Sequence, residues 1–257
     1  MGKLVFWDTE NTGLEADFGT MISFGSKVVE YVNGKPKPGK VEVKSLLDFR
    51  ERCKHCHTLK DSINDLELVR YGVSVLKDAD IWVTWYGKRY DVPFLQTRLL
   101  EHRKKISASE RILPTMRKRH IDGWEISRYR LKLRSNRLKT VTEFLGIHQK
   151  TPILPSMWKL AKTGDSRSIK YVNEHCYHDV LALEEAYDAL KPLIESHPNL
   201  SMLEGKRGAC AVCQSTKIAF RGEIARSTNV WKQGQCMSCG KWLQAPIGKT
   251  GKLGAWR

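Results

Sequence analysis

The sequence has no apolar run approaching the roughly 18 residues that a membrane-spanning helix needs. Met1-Gly2-Lys3 passes straight into a strand-like segment without the apolar core of a secretory signal. These absences lead us to expect a cytoplasmic protein with no membrane partner. Acidic residues are scarce as well: 28 Asp+Glu oppose 44 Lys+Arg, a formal net charge of +16. Such a balance favours a polyanionic partner, nucleic acid first, although solvated lysine faces are common on any basic protein. The deficit is uneven, because residues 201–257 hold ten Lys+Arg and only two Asp+Glu, a net +8. Seven cysteines is an odd number, which together with a reducing compartment argues against a disulfide framework and turns attention to metal ligation. At 257 residues and 41% hydrophobic, the chain can bury one sizeable domain and carry a small appendix.

Against this background, Leu4-Val5-Phe6-Trp7-Asp8-Thr9-Glu10-Asn11-Thr12-Gly13 reads as a short buried strand ending in a loop. Residues two apart on a strand point the same way, so Asp8 and Glu10 can converge on one hard cation. Two like charges this close at the end of a buried strand are costly without a positive partner. A solvated strand-to-turn boundary is the plainer alternative for this fragment alone.

Two later segments bear on that choice. Ile81 to Trp85 reads as a strand followed, through Gly87, by a helix opening at Asp91, where Asp91 is also a credible helix cap. Residues 166 to 195 form a long helical stretch carrying Asp179, with His175 one turn before it and Pro192 set to bend or stop the helix. Asp-x-Glu, Tyr-Asp and a late helical Asp, in this order, resemble the DEDD superfamily of 3′→5′ exonucleases, the DnaQ-like branch of the RNase H fold. The closest layout is that of the proofreading exonuclease of family B polymerases. The resemblance covers about residues 3 to 195 and implies an α/β fold, an RNase H-like mixed sheet flanked by helices. It also implies that Asp8, Glu10, Asp91 and Asp179 hold two Mg²⁺ or Mn²⁺ ions. His175 becomes the candidate for orienting or deprotonating the attacking water, a neutral imidazole being suited to that near pH 7.

This chain departs from the family in two places. Tyr86 stands five residues before Asp91, where the family commonly has Asn. His175 occupies the spacing at which relatives carry Tyr, with Glu174 at the position where others carry His.

The remaining chain adds a hairpin signal at Asn33-Gly34 between β-favouring runs and an amphipathic helix from Asn64 to Leu76. Cys53-Lys54-His55-Cys56-His57 has zinc-like spacing but no second pair near it, and reads as a helix end with reduced thiols. The basic stretch from Lys104 past His120 to Lys139 reads as a solvated loop or a phosphate-tracking rim, with Arg89, Arg137 and Lys139 as candidate backbone contacts.

Cys210-x-x-Cys213 and Cys236-x-x-Cys239 lie 22 residues apart around strand-like segments, the spacing of a Cys₄ zinc ribbon holding one structural Zn²⁺. Trp231, Trp242 and Trp256 lie among its basic residues, where they can either stack on unpaired bases or form the ribbon's core. We therefore expect an exonuclease domain over 1–200 and a basic zinc-ribbon domain over 201–257. Nucleic acid is the expected partner, single-stranded DNA ahead of RNA, and the ribbon is an alternative docking module for a protein. An endonuclease of RNase H type, or a decayed nuclease that only binds nucleic acid, remains open.

Overall fold

A computed structural model describes the chain except for residues 1, 33–34, 50–63, 116–118, 148–151, 153, 200–201, 203–207, 248–252 and 257. The Cys53–His57 cluster lies outside the described residues. By its contacts the chain divides into two compact units, one of residues 3–29 and 38–187, the other of 1–2, 30–37 and 188–257.

The first unit is built on a five-stranded sheet of order β3-β2-β1-β4-β5, made of β1 (Gly2–Asn11), β2 (Met21–Val32), β3 (Lys35–Ser45), β4 (Ile81–Thr84) and β5 (Arg119–Asp122). β1, β4 and β5 run parallel, with Leu4 opposite Ile81 and Ile81 opposite Arg119. Connections of nine residues (12–20) and two residues (33–34) are too short for a crossover, so β1, β2 and β3 pair antiparallel and the sheet is mixed. Around it lie α1 (Leu46–Phe49), α2 (Leu66–Asp78), α3 (Asp91–Glu101), α4 (Gly123–Arg130), α5 (Leu138–Leu145), α6 (Pro155–Ala161) and α7 (Ser166–Leu190). β5 is a strand where composition suggested only a basic rim; pairing with β4 buries Ile121 and Asp122.

Alternation along β1 sorts its side chains. Val5 and Trp7 enter a core with Phe24, Leu68 and Trp82, while Phe6 on the other face packs edge-on against Tyr187 of α7 at 5.3 Å. Asp8 and Glu10 share the parity of Phe6 and so face α7. Helix α7 presents Val172, Cys176, Val180, Leu183 and Tyr187 as one buried stripe. Its seat on the sheet is fixed by Ser23 Oγ donating to Asn173 Oδ1 at 2.5 Å and by a Lys27–Glu184 ion pair at 2.5 Å. The helix stops at Leu190, where Lys191–Leu193 continue as a 3₁₀ turn around Pro192, as a proline there requires.

A buried network ties the opposite face together. Asp65, fully enclosed, accepts hydrogen bonds from the Met21 amide at 2.8 Å and from Arg98 Nε and Nη2 at 2.9 and 3.0 Å, and its Oδ1 lies 2.6 Å from His102 Nε2. One carboxylate thereby joins β2, the start of α2, and α3.

The second unit contains a three-stranded antiparallel sheet, β6 (Ile218–Ala225), β7 (Val230–Cys236) and β8 (Trp242–Pro246), with a bulge at Phe220–Gly222 where Gly222 takes φ 110°. Trp256, Leu243, Ala245, Val212 and the buried cysteines form its small core. Among the described residues, no helix is long and apolar enough to cross a membrane.

Candidate active site and cysteine cluster

The parallel strands β1 and β4 end side by side, and both carry polar side chains to that edge. There a cavity of about 490 Å³ is lined by Asp8, Glu10, Asp91, His175 and Asp179, all five of the residues expected to act together. The i, i+2 pair on β1 and the i, i+4 pair on α7 meet across the gap. Nε2 of His175 lies 3.9 Å from Glu10 Oε1 and 3.7 Å from Asp179 Oδ2. One ligand atom from each of Glu10, His175 and Asp179 falls within 4.8 Å of the others. His175 is 3% exposed, and the ring of Trp158 stands edge-on to it at 5.2 Å, which fixes the plane of the imidazole.

Asp91 enters from the side. It is the first residue of α3 rather than its cap: Tyr90 holds the cap position, and Asp91 Oδ1 accepts from Thr9 Oγ1 at 2.6 Å. The helix-cap alternative for Asp91 is thus replaced by a tie between α3 and β1. Burial pushes the Asp91 carboxyl up to about 6, and the Thr9 bonds offset part of that rise. The field of the cluster is visible at its neighbours. Burial raises the Cys176 thiol well above its ordinary value, and Asp8, Glu10, Asp179 and Asp91 all add to the rise. Tyr90 is pushed to about 12, by burial and then, against a hydrogen bond from Asn11, by Asp91, Glu10 and Asp8. Four carboxylates therefore act on one small volume. Clustered carboxylate oxygens are the donors that suit Mg²⁺ or Mn²⁺, whereas an imidazole nitrogen belongs more often to softer ions.

Two walls of the cavity lie outside the expected set. One is α6 with its C-cap, which places Trp158, the exposed Lys159 and the capping Lys162 on the rim. The other is the loop after β4, carrying Trp85 and Tyr86. Tyr86 has φ 67°, a left-handed conformation that costs an aromatic residue about 1 kcal/mol. Buried Asp122 holds it there, accepting the Tyr86 amide at 2.7 Å, the Lys88 amide at 3.0 Å and the Trp124 amide at 3.0 Å. Gly87 cannot be replaced easily, because a Cβ would sit 2.5 Å from Thr84 side-chain atoms. Among the proposed phosphate contacts, Arg89 is exposed and lies over the Trp124 ring at 5.5 Å. Arg137 and Lys139 are exposed at the start of α5 and do not line the cavity.

A family model of the RNase H superfamily matches residues 5–191. The chain belongs to the RNase H superfamily. Nucleases of this superfamily act on nucleic acid and usually use divalent metals, which agrees with the RNase H-like sheet and with the donor set at its strand ends. Among curated proteins, none matches the chain.

In the second unit, Cys210, Cys213, Cys236 and Cys239 bring their sulfurs within 4.8 Å of one another, with Cys210–Cys239 at 3.8 Å and Cys213–Cys236 at 3.5 Å. A tetrahedral zinc with Zn–S of ~2.3 Å has S···S edges of about 3.8 Å, so the cluster is compatible with a zinc ribbon. Burial opposes ionisation of Cys236, but the amides of Cys239 and Ser238 outweigh it and bring the thiol to about 7. The tryptophans divide. Trp242 is 58% exposed, whereas Trp231 is buried beneath the Arg226 guanidinium, 4.7 Å from the ring centroid, and Trp256 belongs to the core. At 6% exposure and with the Arg226 guanidinium over its ring, Trp231 sits as a packing residue rather than as an open stacking face.

Proposed function

We propose that the protein is a metal-dependent 3′→5′ exonuclease that hydrolyses phosphodiester bonds of single-stranded nucleic acid to nucleoside 5′-monophosphates. The observation that supports it is the convergence of Asp8, Glu10, Asp91, His175 and Asp179, from three separate elements, on one open cavity. Asp8, Glu10 and Asp179 would hold one Mg²⁺ or Mn²⁺, and Asp8 with Asp91 a second. Such a pair supplies an activated water and neutralises the leaving oxygen. The chain's own residues do the rest. His175, its ring held by Trp158, accepts a hydrogen bond from the attacking water and orients it. Lys159 and Lys162 offer countercharge to the phosphates of the incoming strand. As the water attacks phosphorus it gives its proton to His175, and the 3′ oxygen of the preceding nucleotide departs and takes a proton from solvent.

Nuclease chemistry belongs to about residues 1–200. Residues 201–257 form a basic module closed by one structural Zn²⁺ on its four cysteines, with Trp242 facing outward to unpaired bases or to a protein partner. Reduced thiols suit a cytoplasmic setting. The decisive test presents linear 5′-labelled and circular single strands of DNA and RNA with Mg²⁺ or Mn²⁺ to the intact chain, Asp8→Ala and His175→Ala. A ladder shortening from the 3′ end, absent on circles and abolished by Asp8→Ala, is expected. Cleavage of circles would instead make the enzyme an endonuclease, and binding without any cleavage would leave a decayed nuclease.

A further inference from the structure

The loop that follows β4 spends backbone strain to hold an aromatic ring at the mouth of the carboxylate cavity. Tyr86 is 41% exposed, lines that cavity, and is one of two described non-glycine residues with positive φ. Its conformation is over-determined. Asp122 receives its amide and those of Lys88 and Trp124, and the Tyr86 carbonyl accepts the amides of Arg89 and Tyr90, both at 3.1 Å. The ring meets Trp124 edge-on at 5.2 Å, and Trp124 is itself covered by Arg89. A strained residue held in place by its surroundings, beside reactive groups, is a sign of use. An apolar core does not explain it, since the ring is exposed. A folding role for the phenol does not explain it either, since Asp122 grips the backbone and not the side chain.

We propose that Tyr86 is a stacking shelf for the base of the nucleotide being removed, so that the site accepts a terminal base only when it is unpaired and unstacked from its neighbour. The proposal rests on the nuclease reading above and adds a determinant to it. A base seated against the phenol is held by its π-face, which every base possesses, so selection is for strand state rather than for sequence. The chemistry of the ligand is that of a single-stranded 3′ end, and a paired end must first unpair to reach the ring. Of the other described aromatics here, Tyr90 is half-buried with its hydroxyl donating to the Gly13 carbonyl at 3.0 Å. Trp124 presents an edge to Tyr86 and carries Arg89 on it, and Trp85 donates its Nε1 to the Asn136 carbonyl at 2.9 Å and is only half-exposed.

The test uses the full chain with Ca²⁺ and a single-stranded oligonucleotide bearing 2-aminopurine as its 3′-terminal base, reading both affinity and quenching of the probe. Variants are Tyr86→Phe, which keeps the ring, and Tyr86→Gly, which removes it while relieving the backbone. Quenching on wild type and Tyr86→Phe is expected, with affinities within about threefold of each other. In Tyr86→Gly quenching is lost and affinity falls roughly five- to 150-fold, while its melting temperature stays at or above that of wild type because glycine adopts positive φ freely. Moving the probe five nucleotides inward should abolish the difference in quenching among the three proteins. Equal quenching by Tyr86→Gly, or a loss in Tyr86→Phe as large as in Tyr86→Gly, would overturn the shelf. If the terminal probe is quenched through Tyr86 but no metal supports cleavage, the nuclease reading fails and the shelf stands. If cleavage is present and Tyr86→Gly binds as wild type, the reverse holds.

Discussion

Replacing Gly25 by alanine tests whether the seat of α7 on the sheet sets the geometry of the carboxylates. A Cβ at Gly25 would lie 2.7 Å from Cys176 Sγ and 3.0 Å from Val180 Cγ2, and both of those side chains are fully buried. Ordinary non-bonded contacts need about 3.5–4.0 Å, so helix and strand must part by about 1 Å at that point. Cys176 and Val180 each follow a site residue, His175 and Asp179, so the displacement occurs at the very turn that presents them. Overpacking of this kind costs roughly 1–3 kcal/mol, or about 2–12 °C in melting temperature for a unit of this size. A shift of about 1 Å in a catalytic group lowers turnover on the order of 100-fold. The assay is a double-mutant cycle with Cys176→Ala, which removes the nearest clashing atom. Denaturant unfolding and turnover are measured for all four proteins. Gly25→Ala should be restored in part by Cys176→Ala, with an interaction energy of about 1–2 kcal/mol. Wild-type stability and turnover in Gly25→Ala, or strictly additive effects in the cycle, would refute the reasoning.

Two further outcomes are expected. Purified protein should contain one zinc per chain by elemental analysis; Cys213→Ser or Cys236→Ser should lose it and expose Trp256 to solvent quenchers, since the apparent binding energy of a structural zinc, ~10–16 kcal/mol, exceeds what so small a core supplies. The Asp65 network should stabilise the first unit in a pH-dependent way. Burial alone would raise the Asp65 carboxyl, but the bonds from His102, Arg98 and the Met21 amide outweigh it and hold it below the usual 3.8. A depressed carboxylate contributes fully above its unfolded value, and the contribution fades as pH falls below about 3.8 toward the folded value. Asp65→Asn should therefore cost about 3–5 kcal/mol near neutrality, measured by denaturant unfolding, and the gap to wild type should narrow below pH 4; a gap constant with pH would show that packing alone is lost.

The acidic side of the site was legible because groups on one element that aim at a common point must keep short spacings. Asp8 and Glu10 had to be two apart on a strand, and His175 and Asp179 four apart on a helix, to aim at one point. Each spacing is visible in a few consecutive residues. The four cysteines were legible for the same reason, and the end of α7 was legible from Pro192. The strand β5 was not: it is four residues long with a basic start, and its burial comes from pairing with β4, which precedes it by some 35 residues. Which tryptophan of the second unit faces outward was equally hidden. Trp231 and Trp242 are both flanked by lysine, and only the packing of Arg226 over one of them separates their roles.

The other walls of the cavity resist reading for a related physical reason. Its walls are assembled from distant pieces whose local sequence carries no sign of their use. Helix α6 is seven residues long and largely exposed, so it has no apolar stripe to announce it, and its Trp158 matters only because α7 brings His175 to meet it. The left-handed turn at Tyr86 has no glycine at that position, and it depends on a carboxylate 36 residues away. In the sequence the same tyrosine was visible only as a missing asparagine. A reaction needs its catalytic groups within a few ångströms and so writes them in compact motifs, whereas a strand of nucleic acid is long and can be gripped from several elements at once. Substrate preference in this chain should therefore change with substitutions at Tyr86, Trp158 and Lys159 that leave the carboxylates in place.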